Sequence, residues 1–197
     1  RIDGRRTMYT TAMCFFVYAI LGWCVEVVYA TVNSGKFVNR GFLNGPYCPI
    51  YGCGVLLVTA CLMPVQSNLP ALFFGSVLLT TALELVTGFL LARIFNERWW
   101  DYSSEPFNLC GYICVKFSLL WGIACVMVVR VIHPLILRFV HWMPHTLGVL
   151  LMCVLGTAFV ADLTVTVMAI LKIKKRIRLL SSIAGELHSI SDQLGEN

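Results

Sequence analysis

The sequence predicts an all-α fold, a polytopic membrane helix bundle with about five transmembrane helices, two re-entrant or interfacial polar loops and a C-terminal amphipathic helix. Of its 197 residues, 58% are hydrophobic and only 13% are charged, where a soluble domain carries about 25% charged residues. The mean hydropathy is +0.80. Lipid is therefore the natural solvent of this chain, which argues against a water-soluble enzyme, a secreted disulfide scaffold and a disordered tail.

Apolar runs long enough, or nearly so, to cross a bilayer define the predicted spans. They are Met8–Val32, Pro49–Val65, Pro70–Ile94, Leu109–Ile132 and Thr146–Leu171. The first run exceeds the core of a secretory signal, so we expect a retained helix. The second and third are joined by a short uncharged turn, which predicts an antiparallel pair. After the fourth, His133-Pro134 should break the helix, leaving an interfacial segment with Trp142 at headgroup level and surface histidines at 133, 141 and 145.

Basic residues predict the orientation and the division of the chain. The side of the membrane that holds the C-terminus carries most of the Lys and Arg, many of them between Lys172 and Arg178. Because such residues concentrate in the cytoplasm, we predict a multi-pass protein with its N-terminus outside and both polar loops and the C-terminus cytoplasmic. Residues 1–171 form the predicted transmembrane domain, and residues 172–197 form a cytoplasmic basic amphipathic tail helix.

The tail carries one apolar stripe at alternating steps of four and three residues. The stripe consists of Ile177, Leu180, Ala184, Leu187, Ser191 and Leu194. This spacing is typical of a helix that lies on the inner leaflet with its basic turns on lipid headgroups. A short coiled coil or a partner-docking helix would have the same pattern.

Two polar segments, Phe37–Gly54 and Phe95–Gly111, contain many of the glycines and prolines. Each segment follows a span that contains one acid, Glu26 before the first segment and Glu84 before the second. The number of residues between the acid and the glycines near the end of the segment is nearly the same in both cases. This similarity suggests two parallel helix-loop-helix repeats. Irregular backbone at membrane depth survives only where protein or water satisfies it, so we expect a polar cavity in the cytoplasmic half of the bundle.

Glu26, Glu84 and Asp162 are the acids within the predicted spans. Inserting such an acid costs on the order of 3 kcal/mol, so each needs a basic partner, a bound cation, a proton or water. The available basic partners are Arg40, Arg98 and Arg130. Two interpretations stay open: structural ion pairs that hold the loops, and a substrate or proton site.

The densest aromatic and acidic cluster is Trp99-Trp100-Asp101-Tyr102. Such residues can enclose an organic cation, and they also serve as interfacial anchors. The predicted substrate-binding residues are Glu26, Asn39, Arg40, Glu84, Arg98, Trp100, Asp101, Tyr102 and Asn108. The cysteine spacings match no standard zinc arrangement, and the sequence contains no phosphate-binding loop or nucleophile elbow, so we expect no metal, no cofactor and no nucleic-acid partner, and we assign no catalytic residue.

Several of these residues also carry a family resemblance. The positions that carry this resemblance are Gly22-Trp23 with Glu26 and Tyr29, NRGFLNGPYCPIYG at 39–52, Glu84 with Thr87-Gly88, WWDYS at 99–103, Phe107-Asn108, Gly111 and Trp121-Gly122. Together they resemble the type IV ABC-transporter permease family of small bacterial membrane proteins (CmpB-type), over roughly residues 10–125. No motif after His133 contributes to the resemblance.

The resemblance implies a transport-related protein of the bacterial inner membrane. The favoured hypothesis is a permease or a substrate-binding membrane subunit that takes a small, cationic solute. Because the sequence contains no ATPase motif, an ABC role implies a separate ATPase or another membrane subunit as a partner, in addition to membrane lipids. The alternative is a membrane-embedded enzyme acting on a lipid-borne substrate. A scaffold that recruits a partner, and the choice between monomer and homo-oligomer, also stay open.

Overall fold

The computed structural model describes residues 4–39 and 41–195 and is almost entirely helical. Its elements are α1 Gly4–Ser34, α2 Pro49–Leu62, α3 Leu69–Phe95, β1 Asn108–Leu109, β2 Ile113–Cys114, α4 Val115–Met127, α5 His133–Trp142 and α6 His145–Gly195. The two short strands pair as an antiparallel hairpin. This architecture confirms the predicted all-α membrane bundle.

Most of the helices are long and apolar enough to cross a membrane. The candidate spans are Arg6–Ser34, Leu69–Phe95, Val115–Trp142 and His145–Leu187, and the apolar stretch Pro49–Val65 is shorter. Pro49 and Pro70 each occupy the first turn of a helix, where a missing N–H costs nothing. Asn68 caps α3 by accepting a hydrogen bond from the Ala71 N–H at 3.1 Å.

The fourth apolar segment differs from its prediction at both ends. It is helical only from Val115, because the hairpin occupies residues 108–114. It then continues through Pro134 to Trp142 by way of a π-helical turn, Val128–Ile132. A proline within a helix removes a hydrogen bond and crowds the preceding turn, and the wider π turn takes up that misfit. The predicted break at His133-Pro134 is therefore wrong.

This continuation buries a histidine that the sequence placed at the surface. Ile136 and Val140 of α5 pack against Met13 and Cys14 of α1. On the same interface, His133 is 7% exposed and its Nδ1 lies 3.1 Å from the Tyr18 hydroxyl. The surface prediction is thus wrong for His133, whereas His141 and His145 are exposed.

Helix α1 is the central element of the bundle. It packs against α2, α5 and α6. The α1–α2 contact is close, since a Cβ at Gly52 would stand 2.8 Å from the Phe15 carbonyl oxygen. Helix α6 runs parallel to α1, because the His145 ring lies 4.9 Å from the Tyr9 ring at a tilt of 42°, and the Phe159 ring meets Phe15 and Phe16 edge-on further along. Helix α6 continues without a break into the predicted tail. Along the predicted stripe, Ile177, Leu180 and Leu187 are exposed, whereas the side chains of Ser191 and Leu194 lie outside the described residues.

Both polar connections fold back along the helix that precedes them. Loop 1 (residues 35–48) ends where the Cys48 N–H donates to the Ala19 carbonyl at 2.9 Å, midway along α1. Loop 2 (residues 96–114) meets loop 1 where the rings of Phe42 and Trp99 lie 5.2 Å apart. The Lys174 ammonium of α6 donates to the Ile94 carbonyl at 3.4 Å. The two loops and the basic part of α6 therefore occupy the same end of the bundle.

Candidate functional site

Glu26 and Tyr51 form the first polar pair, and both side chains are half-buried. The Tyr51 hydroxyl donates a hydrogen bond of 2.6 Å to Glu26 Oε1. Tyr51 reaches the carboxylate by lying over Gly22, which is one helical turn before Glu26. A Cβ at Gly22 would stand 2.5 Å from the Cβ of Tyr51, so the absence of a side chain is what admits the tyrosine.

Glu84 and Tyr102 form the second pair. Glu84 is 8% exposed, and the Tyr102 hydroxyl of loop 2 donates to its Oε1 at 3.0 Å. Burial raises the pKa of Tyr102, and the carboxylates of Glu84 and, more weakly, Glu26 raise it further. The phenol therefore stays protonated and acts as a donor. Because Glu26 also raises the pKa of Tyr102, both acids lie close enough to this hydroxyl to act on it electrostatically.

Helix α4 aligns the two pairs with aromatic side chains. Phe117 stacks on Tyr102 with ring centroids 4.8 Å apart, and Trp121 meets the edge of Tyr51 at 5.4 Å. Phe117 and Trp121 stand one turn apart on the same face of the helix. We call Glu26, Tyr51, Glu84, Tyr102 and Trp121 the carboxylate cluster. The cluster joins side chains from α1, α2, α3, α4 and loop 2.

One oxygen of the cluster lacks a regular partner. Among the described residues, Glu84 Oε2 is buried and accepts no hydrogen bond of ordinary geometry, although the Trp121 indole adjoins the carboxylate. A hydrogen bond to a charged group contributes about 1.5–3 kcal/mol, so leaving this oxygen unsatisfied is costly. The site can lower that cost by taking up a proton or the N–H of a cationic group.

The predicted arginine partners of the acids lie elsewhere. Arg98 is 3.4 Å from Asp101 and lies over the ring of Tyr112, both in loop 2. Arg130 donates to the Gln66 carbonyl at 2.9 Å, at the opposite end of the bundle. Arg40 lies outside the described residues. Arg98 and Arg130, two of the three available basic partners, therefore reach polar groups near the helix ends.

Asn39 and Asp162 organise loop 1. Asn39 accepts a hydrogen bond of 2.9 Å from the Trp23 indole and donates one of 2.8 Å to the Asn44 carbonyl. Asp162 of α6 accepts from the Asn44 side chain at 3.1 Å and from the Gly45 N–H at 2.8 Å. Hydrogen bonds from loop 1 thus satisfy the Asp162 carboxylate. The position of Asp162 in the sequence did not reveal this form of compensation for its charge.

Asp101 and Asn108 organise loop 2. Hydrogen bonds from Ser103 hold the pKa of Asp101 below its usual range, and Arg98 lowers it further. Asn108 donates to the Glu105 carbonyl at 2.8 Å and accepts from the Gly111 N–H at 3.1 Å. These two side chains fix the turn that carries Tyr102 toward α3.

Trp99 and Trp100 have different surroundings. The Trp100 indole donates to the Tyr112 carbonyl at 2.9 Å, and its ring lies against Gly88, one turn after Glu84. Trp99 packs instead between Phe42 and Phe95 at the junction of the loops. Trp100 thus lies against the helix that carries Glu84, and its role in binding stays a prediction.

The structure thus brings Glu26, Glu84 and Tyr102 together, with Trp100 near them. Asn39, Arg98, Asp101 and Asn108 hold the loops, and their role in binding stays a prediction. Sequence reasoning missed Tyr51 as a partner of Glu26, although Tyr51 lies inside the segment that carries the family resemblance. Its pairing depends on the glycine at position 22, a contact between helices that no local pattern encodes.

Two cavities are prominent among the described residues. One, of about 560 Å³, is an apolar groove along the start of α1, lined by Met8, Phe15 and Leu56 among others. The other, of about 390 Å³, is polar and lies at the end of α3 beside Arg93 and Arg98. Neither is lined by Glu26 or Glu84, whose surroundings are filled by the aromatic rings of the cluster.

The chain matches a known protein family. A family model described as "Putative ABC-transporter type IV" matches residues 13–167. The matched range includes the whole carboxylate cluster and both loops, and it extends into α6 beyond the motifs quoted above. No solved structure matches the chain.

Proposed function

This chain belongs to the type IV ABC-transporter family and is a transport-related membrane protein, and from this premise we propose that it is a permease or substrate-binding subunit whose carboxylate cluster binds a small cationic solute. The observation that carries the proposal is Glu84 Oε2, a buried carboxylate oxygen without a regular hydrogen bond. Around it stand Tyr102, Trp121 and Trp100. A carboxylate enclosed by aromatic rings is a suitable environment for an organic cation, which gains both cation–π and charge-assisted contacts.

Access to the cluster would come from loop 2. Tyr102 and Trp100 both belong to this loop, so a displacement of the loop would uncover Glu84 together with the rings beside it. Loops 1 and 2 fold back along α1 and α3, and we propose that they are re-entrant and gate the site. We place both loops and the C-terminus in the cytoplasm and the N-terminus outside, following the basic residues of α6.

An ABC mechanism needs nucleotide hydrolysis, and we propose that a separate ATPase subunit supplies it. The end of the bundle that combines both loops with the basic part of α6 is the surface where such a subunit would act. The contact between Phe42 and Trp99 links the two loops at this end, so a displacement of one loop would move the other. The site and the proposed docking surface would thus be mechanically connected through loop 2.

The test measures binding of radiolabelled dimethylammonium and methylammonium to the purified protein in nanodiscs, because both cations carry N–H groups that can donate to Glu84 Oε2. We expect saturable binding that weakens about tenfold or more in Glu84→Gln, the loss expected for one charge-assisted contact. Glu105→Gln is the matched control, because the Glu105 carboxylate of loop 2 pairs with Lys116 of α4, which is not a member of the cluster. Absence of saturable binding of either cation, or equal binding by wild type and Glu84→Gln, would refute the proposal.

The alternative, an enzyme acting on a lipid-borne substrate, requires an opening to lipid beside the carboxylates. The apolar groove lined by Met8, Phe15 and Leu56 lies near the start of α1, away from Glu26 and Glu84. The carboxylate cluster is covered by aromatic rings instead. These features favour the solute-binding proposal over lipid chemistry.

A further inference from the structure

The polar cavity at the end of α3 has the character of an anion site. It is lined by two arginines, Arg93 and Arg98, and by one acid, Glu97. Its remaining walls include the rings of Tyr112 and Phe89. The cavity volume is about 390 Å³, which is within the range of small-ligand sites.

Arg98 is held in place at this cavity by loop 2. Its guanidinium lies 5.0 Å from the centre of the Tyr112 ring and forms a 3.4 Å contact with Asp101 through Nη1. The Tyr112 ring in turn rests on Gly88, where a Cβ would stand 3.0 Å from it. A guanidinium fixed on an aromatic face keeps most of its N–H donors available, in the planar arrangement that matches a phosphate.

Arg93 and Lys174 add positive charge without the same compensation. Among the described residues, Arg93 has no hydrogen bond and no carboxylate within ion-pair distance. Lys174 of α6 donates to the carbonyl of Ile94, the residue after Arg93. The cavity therefore has two arginines in its wall and a lysine at its border, against the single lining acid Glu97.

The position of the cavity identifies the source of the anion. Arg93 stands in the last turn of a candidate membrane span, where lipid headgroups lie. Around it on the same span, the apolar side chains of Val86, Phe89, Leu90 and Ile94 are exposed. A phospholipid carries its phosphate at the depth of this cavity and its acyl chains along such a surface, so one molecule satisfies both features.

We propose that this cavity binds the headgroup of an anionic phospholipid, with the phosphate on Arg93 and Arg98 and the acyl chains along the exposed face of α3. The site is independent of the carboxylate cluster and of the solute proposed for it. A lipid bound here would hold loop 2 through Arg98 and α6 through Lys174, at the end of the bundle where the loops meet.

The experiment is native mass spectrometry of the detergent-purified protein titrated with phosphatidylglycerol, phosphatidylcholine or glycerol 3-phosphate. We expect a single retained phosphatidylglycerol, with phosphatidylcholine retained at least about tenfold more weakly, because its choline group cancels the phosphate charge. Arg93→Gln should weaken phosphatidylglycerol binding about tenfold. The matched control is Arg138→Gln, an exposed arginine of α5 near the other end of the bundle.

A variant that should strengthen lipid binding tests the proposal even if the arginine substitution perturbs loop 2. Glu97→Gln removes the acid that lines the cavity and should strengthen phosphatidylglycerol binding, an effect that misfolding would not produce. Equal retention by wild type and Arg93→Gln, an equal loss in Arg138→Gln, or weaker binding in Glu97→Gln would overturn the proposal. Displacement of phosphatidylglycerol by millimolar glycerol 3-phosphate would also overturn it, since the ligand would then be a soluble phosphate.

Discussion

Replacing Gly22 by alanine should destabilise the protein through the Tyr51–Glu26 pair. The new Cβ would stand 2.5 Å from Tyr51 Cβ and 2.6 Å from its ring carbon Cδ2. Real Cβ atoms do not approach other carbons so closely, and the atoms concerned lie at the base of the Tyr51 side chain, which cannot swing away without moving α2. We therefore expect Tyr51 to withdraw from Glu26.

The magnitude follows from three contributions. Overpacking at a close helix contact costs about 1–3 kcal/mol. Loss of the 2.6 Å hydrogen bond to Glu26 costs about another 1.5–3 kcal/mol, because its acceptor is a carboxylate. Alanine regains roughly 0.4–1 kcal/mol over glycine by restricting the unfolded chain. The net prediction is a loss of about 2–5 kcal/mol in the free energy of unfolding.

The assay is reversible unfolding in mixed micelles of a mild detergent and sodium dodecyl sulfate, followed by circular dichroism. Gly156→Ala is the matched control, because the nearest atom to its added Cβ is Phe16 Cζ at 3.9 Å, and its effect should be neutral or slightly stabilising. Tyr51→Phe removes only the hydroxyl and should account for the hydrogen-bond part of the loss. A Gly22→Ala protein as stable as wild type would show that Tyr51 does not lie over Gly22.

Two further predictions concern the loops. Asp162→Asn should loosen loop 1, because an amide cannot accept from both Asn44 and the Gly45 N–H as a carboxylate does; limited trypsin cleavage after Lys36 should be several-fold faster than in wild type, and an unchanged rate would contradict the anchoring role. Acidification should remove the contribution of Asp101 to the stability of loop 2 only below the ordinary aspartate pKa of about 3.8. The pKa of Asp101 is lowered in the folded protein, so its contribution to stability is present above the ordinary value and disappears as the pH falls through the lowered one. Tryptophan fluorescence should report this change in wild type and not in Asp101→Asn, and an identical acid transition in both proteins would refute it.

Hydropathy predicted most of the fold. The apolar run Pro49–Val65 coincides with α2 and its short 3₁₀ extension, and the third run agrees with α3 to within a residue at each end. The prediction for the fourth apolar run was wrong at both ends, because the local sequence signals there were ambiguous. Leu109 is apolar but belongs to a hairpin, and Pro134 lies within a helix whose π turn accommodates it. Both outcomes depend on packing against other elements, which hydropathy does not represent.

The candidate site was predicted in part for a similar reason. An acid in an apolar run has to be compensated, so Glu26 and Glu84 were recognisable from their position alone. The sequence suggested arginine as the partner, since opposite charge is the most general form of compensation. Among the described residues, the structure pairs Glu26 with Tyr51 and Glu84 with Tyr102, because glycines and aromatic rings bring these hydroxyls to the carboxylates.

The sequence by itself determined that this chain is a helical membrane protein, because the cost of placing charge and unpaired backbone in lipid acts on every residue separately. It also determined which few acids must be explained. Only the tertiary structure decided that Glu26 and Glu84 share one aromatic cluster while Asp162 holds loop 1. Those assignments depend on how closely helices approach each other, and at Gly22 that approach is fixed by a contact between residues of two different helices.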